Sequence, residues 1–116
     1  MKYLYLLYAD ESKMPAPDSA QMQQQQAAFG AYYDELSKRG MFKAGDPVQP
    51  SKTATTVRVR NGSTKTAAGP ATTGSDQIIG FYVVEAKNQD EAIAYAAKIP
   101  SAAVGSIEVR PIVVSA

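Results

Sequence analysis

The hydrophobic pattern is clearest in residues 78–97, where an apolar run leads into a helix-like segment. Residues 78–86 are apolar on both alternating faces, which predicts a strand that is covered on both sides. Residues 88–97 favour a helix, with Asn88 as its N-cap and Glu91 placed to complete a capping box. Most other predicted strands fit as neighbours of this unit.

The N-terminal part of the chain predicts another strand with two apolar faces, followed by a long amphipathic helix. Residues 3–9 are almost entirely tyrosine and leucine, so neither face of this strand is polar. Asp18 or Ser19 can cap a helix that runs to about Arg39, and Gly40 is a natural stop. The apolar stripe of this helix is formed by Met22, Phe29, Tyr33 and Leu36.

A polar hairpin and a last strand follow from the remaining pattern. Residues 53–60 alternate, and Asn61 and Gly62 favour a type I′ turn into a returning strand over residues 63–68. Because the hairpin is rich in threonine, we expect it to project towards solvent at a sheet edge. Residues 106–114 predict the last strand.

The order of elements is β–α–β–β–β–α–β, with room for a further short strand near Phe42. It predicts one domain over residues 1–116, an α+β sandwich of ferredoxin-like type with both helices on one face of an antiparallel sheet. The opposite face would be apolar and bare, and a bare apolar face of that size implies a partner. The simplest partner is a second copy packed sheet against sheet, which predicts a homodimer.

Composition narrows the chemistry. The chain has 116 residues and a net charge of +1, so no strong field favours nucleic acid or an anionic membrane. It has no cysteine and no histidine, which excludes disulfides, zinc sites built on either residue, a cysteine nucleophile and a Ser-His-Asp triad. Because we find no signal-peptide pattern and no apolar run near the ~20 residues of a membrane helix, we expect a soluble cytoplasmic protein. We also expect its chemistry to use no metal or organic cofactor.

Charged residues give two candidate sites. Alternation places Glu108 and Arg110 on one face of the last strand, where Arg110 can bind a carboxylate or enolate oxygen bidentately. The alternative for this pair is a structural ion pair at the dimer interface. Asp10 and Glu11 are adjacent loop carboxylates, which fit a weak site for a hard cation or, more often, solvated charges.

Other candidates come from turns and strands. Asp46 stands in a Gly-Asp-Pro turn, where it is either a general base with a raised pKa or a turn former. Tyr8 and Tyr82 lie on strands, so their hydroxyls line a pocket or their rings pack in the core. Gly69 and Pro70 either line the mouth of a cleft or form a plain turn.

Several segments together resemble the YCII-related proteins, specifically their DGPF subgroup. They are residues 1–8, 44–47, 55–62, 80–82, 90–100 and 105–111. The resemblance covers nearly the whole chain, and it implies a dimeric ferredoxin-like α+β barrel.

The chain departs from that family at two points. Ala68-Gly69-Pro70-Ala71 stands where the subgroup has Asp-Gly-Pro-Phe, and no histidine is present to form the His–Asp pair proposed as catalytic in the founding branch. The resemblance implies relatives that perform small-ring chemistry such as dehydrochlorination, and others that occur beside sigma factors. No matching residue carries either role to this chain.

Two functions remain open. The first is a small enzyme that acts on an anionic or cyclic organic molecule in a cleft near the dimer interface, by acid–base chemistry of Asp46, Arg110 or Tyr8. The second is a non-catalytic binding or regulatory module associated with a transcription regulator. An enclosed pocket of about 300 Å³ or more with converging polar groups favours the first function.

Overall fold

The computed structural model describes residues 1–114 and contains a four-stranded antiparallel sheet with two helices on one face. The strands are β1 (Lys2–Asp10), β2 (Phe42–Pro47), β3 (Thr55–Arg60), β4 (Ser63–Ala68), β5 (Asp76–Glu85) and β6 (Ser106–Pro111). The helices are α1 (Ala20–Lys38) and α2 (Gln89–Ala96). The main sheet has the order β2-β5-β1-β6, and β3 and β4 form a separate two-stranded sheet. The predicted α+β architecture is confirmed.

Both helices begin where the sequence predicts. Ser19 caps α1 by accepting a hydrogen bond from the Met22 amide at 3.1 Å. Asn88 caps α2 in the same way, with its side-chain oxygen 2.9 Å from the Glu91 amide nitrogen. The Glu91 carboxylate reaches back to the amide of Lys87 at 3.1 Å, one residue before the cap. These caps satisfy amides that have no partner within the helix.

The core lies between the helices and the inner face of the sheet. Tyr3, Tyr5 and Leu7 of β1 are buried there, because alternate residues of a strand point to the same side. From α1, Leu36 and Tyr32 enter this core. The hydroxyls of Tyr5 and Tyr32 find backbone partners inside it, which offsets the cost of burying them. Thus Tyr32 donates to a carbonyl of α2 at 3.0 Å.

The apolar stripe predicted for α1 is wrong in one position. Leu36 is fully buried, but Tyr32 rather than Tyr33 contacts the core, and Tyr33 is 46% exposed. Tyr33 instead packs edge-on against Phe42 of β2, with the ring centroids 4.8 Å apart. The short segment near Phe42 is β2, an edge strand of the main sheet. Tyr33 therefore packs against this strand instead of entering the core.

The hairpin has the predicted turn but stands apart from the main sheet. Asn61 and Gly62 have φ angles of 51° and 76°, as a type I′ turn requires. Every residue of β4 is exposed, and in β3 only Thr56 is partly covered. The hairpin therefore projects as expected, but as its own sheet rather than at the edge of the main one.

The last strand is shorter than predicted. It ends at Pro111, and only the Ile112 amide continues the ladder, donating to the Lys2 carbonyl at 2.9 Å. Its neighbour β1 begins at Lys2, so Val113 and Val114 have no strand to pair with and are 88% and 80% exposed.

The register defines the outer face of the sheet, away from the helices. Leu6 lies between Phe81 of β5 and Glu108 of β6. One step along, Leu4 lies between Val83 and Arg110. None of the elements described in residues 1–114 covers these side chains, so the second apolar face predicted for β1 and β5 has no partner within the chain.

Candidate functional site

A cavity of about 660 Å³ lies between α1, β2, β5 and the loop that joins β1 to α1. Its lining is mainly apolar, including Met14, Met22, Phe29, Phe42 and Val48. The cavity exceeds the volume of about 300 Å³ at which ligand pockets begin. The stripe residues of α1 that do not enter the core line this cavity.

Aromatic rings form the cavity's inner wall. The Tyr82 ring lies edge-on to Tyr32 at a centroid distance of 5.4 Å and to Phe42 at 6.4 Å. Phe29 and Tyr33 of α1 add two more rings to the lining. Such edge-to-face contacts fix the planes of the rings, so the wall is shaped before any ligand arrives.

The Tyr82 hydroxyl is one polar group of this wall, and Tyr33 carries another. Burial raises the pKa of Tyr82, so the phenol stays protonated at neutral pH. Within residues 1–114 this hydroxyl forms no hydrogen bond, whereas the hydroxyls of Tyr5 and Tyr32 both donate to carbonyls of α2. Tyr82 therefore offers a donor to the cavity.

Two glycines make room for this wall. A Cβ at Gly45 would stand 2.6 Å from the ring of Tyr82, so only glycine lets that ring pack against the β2 backbone. A Cβ at Gly80 would stand 3.1 Å from the Asp46 carbonyl oxygen. An irregularity in β5 opposite Leu7 also turns both Ile79 and Gly80 towards the helix side.

Glu11 lies at the cavity's rim and ties two loops together. Its carboxylate accepts hydrogen bonds from the Ser51 hydroxyl and, at 2.8 Å, from the Ser51 amide. These bonds, the hydroxyl first, hold the pKa of Glu11 below its usual value, so the carboxylate is ionised at neutral pH. The tie fixes the β1–α1 loop against the loop that follows β2.

Besides Glu11, the structure brings two of the predicted site residues to the cavity. Tyr82 and Asp46 both belong to its lining. Asp46 pairs with Phe81 in the ladder, so alternation directs its side chain towards the outer face of the sheet. Its backbone is the part that the ladder places nearest Tyr82.

The other predicted residues lie elsewhere. Tyr8, Glu108 and Arg110 are on the outer face, and the Arg110 guanidinium forms an ion pair with Glu108 while its side chain is 67% exposed. Gly69 and Pro70 follow the hairpin at its base, where the Gly69 carbonyl accepts a hydrogen bond from Thr56 at 2.8 Å. Their turn closes the hairpin and does not reach the cavity.

Sequence reasoning missed the role of Glu11. The sequence predicts it, with Asp10, to be a weak cation ligand or, more often, a solvated charge, and Asp10 does take a local role, accepting bonds from Ser12. The partner of Glu11 is 40 residues away in the sequence, so no local spacing signals it. The clustering of prolines and methionines at residues 14–22 was the available sign that this loop covers an apolar surface.

A second depression, of about 490 Å³, lies on the outer surface of α1. Its lining is charged, and Glu35 there pairs with Lys98 at 3.0 Å and with Arg39 at 3.8 Å. These ion pairs satisfy one another, which is typical of a solvated helix surface. Within residues 1–114 no group of three acidic side chains is arranged to hold a metal ion. Neither described helix has the length and apolar character to cross a bilayer.

Comparison with known proteins places this chain in a family. The YCII-related domain matches residues 1–115. An uncharacterised protein of Rhizobium meliloti (strain 1021) is 29% identical over 114 residues, which covers 97% of this chain and 92% of that protein.

A solved structure shares the fold at lower identity. It is 5-chloro-2-hydroxyhydroquinone dehydrochlorinase from Burkholderia phenoliruptrix AC1100, in complex with 2,5-dihydroxybenzoquinone. The TM-score is 0.51 at 21% identity, over 97% of this chain and 93% of the other. At that identity the likeness concerns the fold alone.

Proposed function

The chain belongs to the YCII-related family, and on that premise we propose that its cavity beneath α1 binds a small cyclic organic molecule. The observation that carries the proposal is the cavity itself: about 660 Å³ of space, lined by apolar side chains and aromatic rings, with the phenols of Tyr33 and Tyr82 among the lining residues. Ligand pockets are typically concave and apolar, with a few polar groups that set orientation. The dehydrochlorinase of the same fold, which is held in complex with a six-membered ring compound, supports a ligand of this size.

Each part of the lining has a distinct task in this proposal. The rings of Phe29, Tyr33 and Phe42 pack against the faces and edges of a ligand ring. The Tyr82 hydroxyl donates a hydrogen bond to a ligand carbonyl or hydroxyl oxygen. The Glu11 carboxylate at the rim accepts a hydrogen bond from a ligand donor, since each of its oxygens has a lone pair beyond those used by Ser51.

The test is a thermal-shift screen of phenols, quinones, lactones and ring carboxylates. A ligand at a hundred times its dissociation constant should stabilise the fold by about 2.7 kcal/mol. Gly30 is an exposed residue of the lining, and a Cβ there meets no atom within 4 Å, so Gly30→Leu adds an apolar side chain at the cavity without a clash at its Cβ. Ala28→Leu, at an exposed position of the same helix outside the lining, is the matched control.

We expect a ring compound to stabilise the wild type and Ala28→Leu and to have no effect on Gly30→Leu. A hit that Gly30→Leu binds as well as the wild type would place the ligand elsewhere and contradict the proposal. If no ring compound in the screen binds, the proposal fails. The alternative function, a non-catalytic regulatory module, would then be tested by a search for protein partners.

We also propose that two copies pair through the outer face of the sheet. The chain exposes 7898 Å², whereas a compact protein of 12.4 kDa exposes about 6,100 Å². The radius of gyration is 16.1 Å against about 13 Å for a compact domain of this length. The projecting hairpin accounts for part of the excess of roughly 1,800 Å², which is about twice the ~800 Å² that each partner buries in a standard interface. Leu4, Leu6 and Phe81 lie at the centre of the face that a second copy would cover.

Light scattering at micromolar concentration tests the pairing. The wild type should have twice the mass of the chain, and Leu4→Lys should have the mass of one chain, because its charge would be buried between Val83 and the cationic Arg110. Val104→Lys, at a position that is 85% exposed and off the sheet, should leave the dimer intact. A monomeric wild type would refute the pairing, and the cavity, which is formed within one chain, would be unaffected.

A further inference from the structure

The charges around the cavity are of one sign. Glu11 places its carboxylate at the rim, Asp46 belongs to the lining but directs its side chain to the outer face, and no lysine or arginine belongs to that lining within the described part of the chain. The chain has no histidine that could become cationic there. The remaining polar side chains of the lining are neutral, namely Gln25, Gln26 and the tyrosines.

The basic residues near the cavity in sequence do not supply the missing charge. Lys13 precedes a lining residue, Lys43 follows one, and Lys52 is two residues from one, but all are exposed and none is part of the lining. Lys98 stacks over the Tyr95 ring at 4.7 Å on the far side of α1. Arg110 is held by Glu108 on the outer face of the sheet.

An anionic ligand would therefore meet two costs. It would lose its hydration on entering an apolar cavity, and it would lie near an ionised carboxylate with no cation to compensate. For a positively charged ligand, the second cost becomes an attraction. It could form an ion pair with Glu11 and face the π-electrons of Phe29, Tyr33, Phe42 and Tyr82, which attract cations.

From this arrangement we infer that the cavity selects against anions and that its preferred ligand is a ring compound carrying a protonated amine. The inference rests on the proposed function, since it specifies the ligand class of the same cavity. The sequence alone leaves both an anionic and a cyclic ligand open. The inference keeps the cyclic ligand and drops the anionic one, because Arg110, which would hold an anion, lies outside the cavity.

The test compares three ligands that share one ring system and differ in charge: 2-naphthylmethylamine, 2-naphthol and 2-naphthoate. Their dissociation constants are measured by calorimetry at neutral pH and low salt. We expect the amine to bind at least about tenfold more tightly than the carboxylate, a difference of about 1.4 kcal/mol, with the phenol between them.

Two variants identify the source of the preference. Glu11→Gln removes the charge and should bring the amine close to the phenol. Ser51→Ala removes one hydrogen bond to Glu11 but keeps the carboxylate, so the preference for the amine should remain.

The outcomes separate this inference from the proposed function. Tightest binding of 2-naphthoate, or equal binding of all three, would overturn the charge selection while leaving a ring-binding cavity. Amine preference that survives in Glu11→Gln would also overturn it, because the charge invoked would not be its cause. Failure of all three ligands to bind would count against the proposed function itself.

Discussion

Ser51 donates two hydrogen bonds to Glu11, one from its hydroxyl and one of 2.8 Å from its amide, across 40 residues of sequence. This contact closes the rim of the cavity, because one partner belongs to the loop before α1 and the other to the loop after β2. It also keeps an ionised carboxylate at the position where a ligand would enter. The Glu11–Ser51 pair therefore holds the two loops together and keeps a negative charge at the rim of the cavity.

Replacing Glu11 should give a pH-dependent loss of stability. The folded-state pKa of Glu11 is lowered from its ordinary 4.5 by the bonds from Ser51, so its contribution is fully present above that value and is lost as the pH falls through the folded value. Denaturant unfolding should therefore show Glu11→Gln less stable than the wild type at neutral pH. The gap between the two proteins should close in acid.

Asp18→Asn is the control, since Asp18 is an exposed carboxyl of the same loop. Its stability should track the wild type at both neutral and acid pH. A gap for Glu11→Gln that stays constant from neutral to acid pH would show that the carboxylate charge does not contribute to the tie.

The buried phenol of Tyr5 should make the fold sensitive to alkali. Burial is the main cause that raises the pKa of Tyr5 from 10.0 to about 12, with the charge of Glu91 adding to it. The neutral phenol donates to the Ala92 carbonyl of α2. Because the folded-state pKa is the higher one, this stabilisation is present below the unfolded value near 10.0 and is lost as the pH rises towards 12.

We expect Tyr5→Phe to be about 1 kcal/mol less stable than the wild type at neutral pH, through the lost hydrogen bond. Its stability should also decline less steeply between neutral and alkaline pH, as measured by urea unfolding. Tyr33→Phe, at a half-exposed ring, should keep the wild-type slope. Equal slopes for the wild type and Tyr5→Phe would be the contradictory result.

Two glycines predict opposite effects of one substitution. A Cβ at Gly105 would lie 2.1 Å from the Tyr8 carbonyl oxygen, which is backbone and cannot move without disturbing the β1–β6 ladder. Gly105→Ala should therefore cost about 3 kcal/mol or more. Gly30→Ala, within α1 and free of any atom within 4 Å, should stabilise by roughly 0.5–1 kcal/mol. Thermal unfolding measures both, and shifts of the same sign would contradict the packing at Gly105.

The elements that the sequence predicted well have local signals. Ser19 and Asn88 mark the helix starts because a cap bonds to an amide only a few residues away. Asn61 and Gly62 specify their turn because few other residues accept two positive φ angles. Alternation alone placed Glu108 and Arg110 on one face of β6.

The candidate site was predictable only in part, because it depends on contacts that are distant in sequence. Alternation along β5 could not say which side of the sheet Tyr82 faces, since both sides of that strand are apolar. The choice is made by α1, whose Tyr32 and Tyr33 pack with Tyr82 and Phe42. The Glu11–Ser51 tie likewise requires the edge strand β2 to bring the second loop near the first.

Arg110→Ala separates the two roles that the sequence left open for this residue. Arg110 pairs with Glu108 on the outer face and stands next to Leu4 in the ladder, away from the cavity. The substitution should leave the affinity for a ring ligand unchanged, because no ligand contact is lost. It should weaken the proposed dimer, because Glu108 would be buried there without its partner.

Calorimetry and light scattering on the same sample measure the effects of Arg110→Ala on ligand affinity and on the dimer. Lys87→Ala, which removes an exposed charge outside the main sheet, is the control. Loss of ligand affinity with an intact dimer would instead assign Arg110 to a binding site on the outer face.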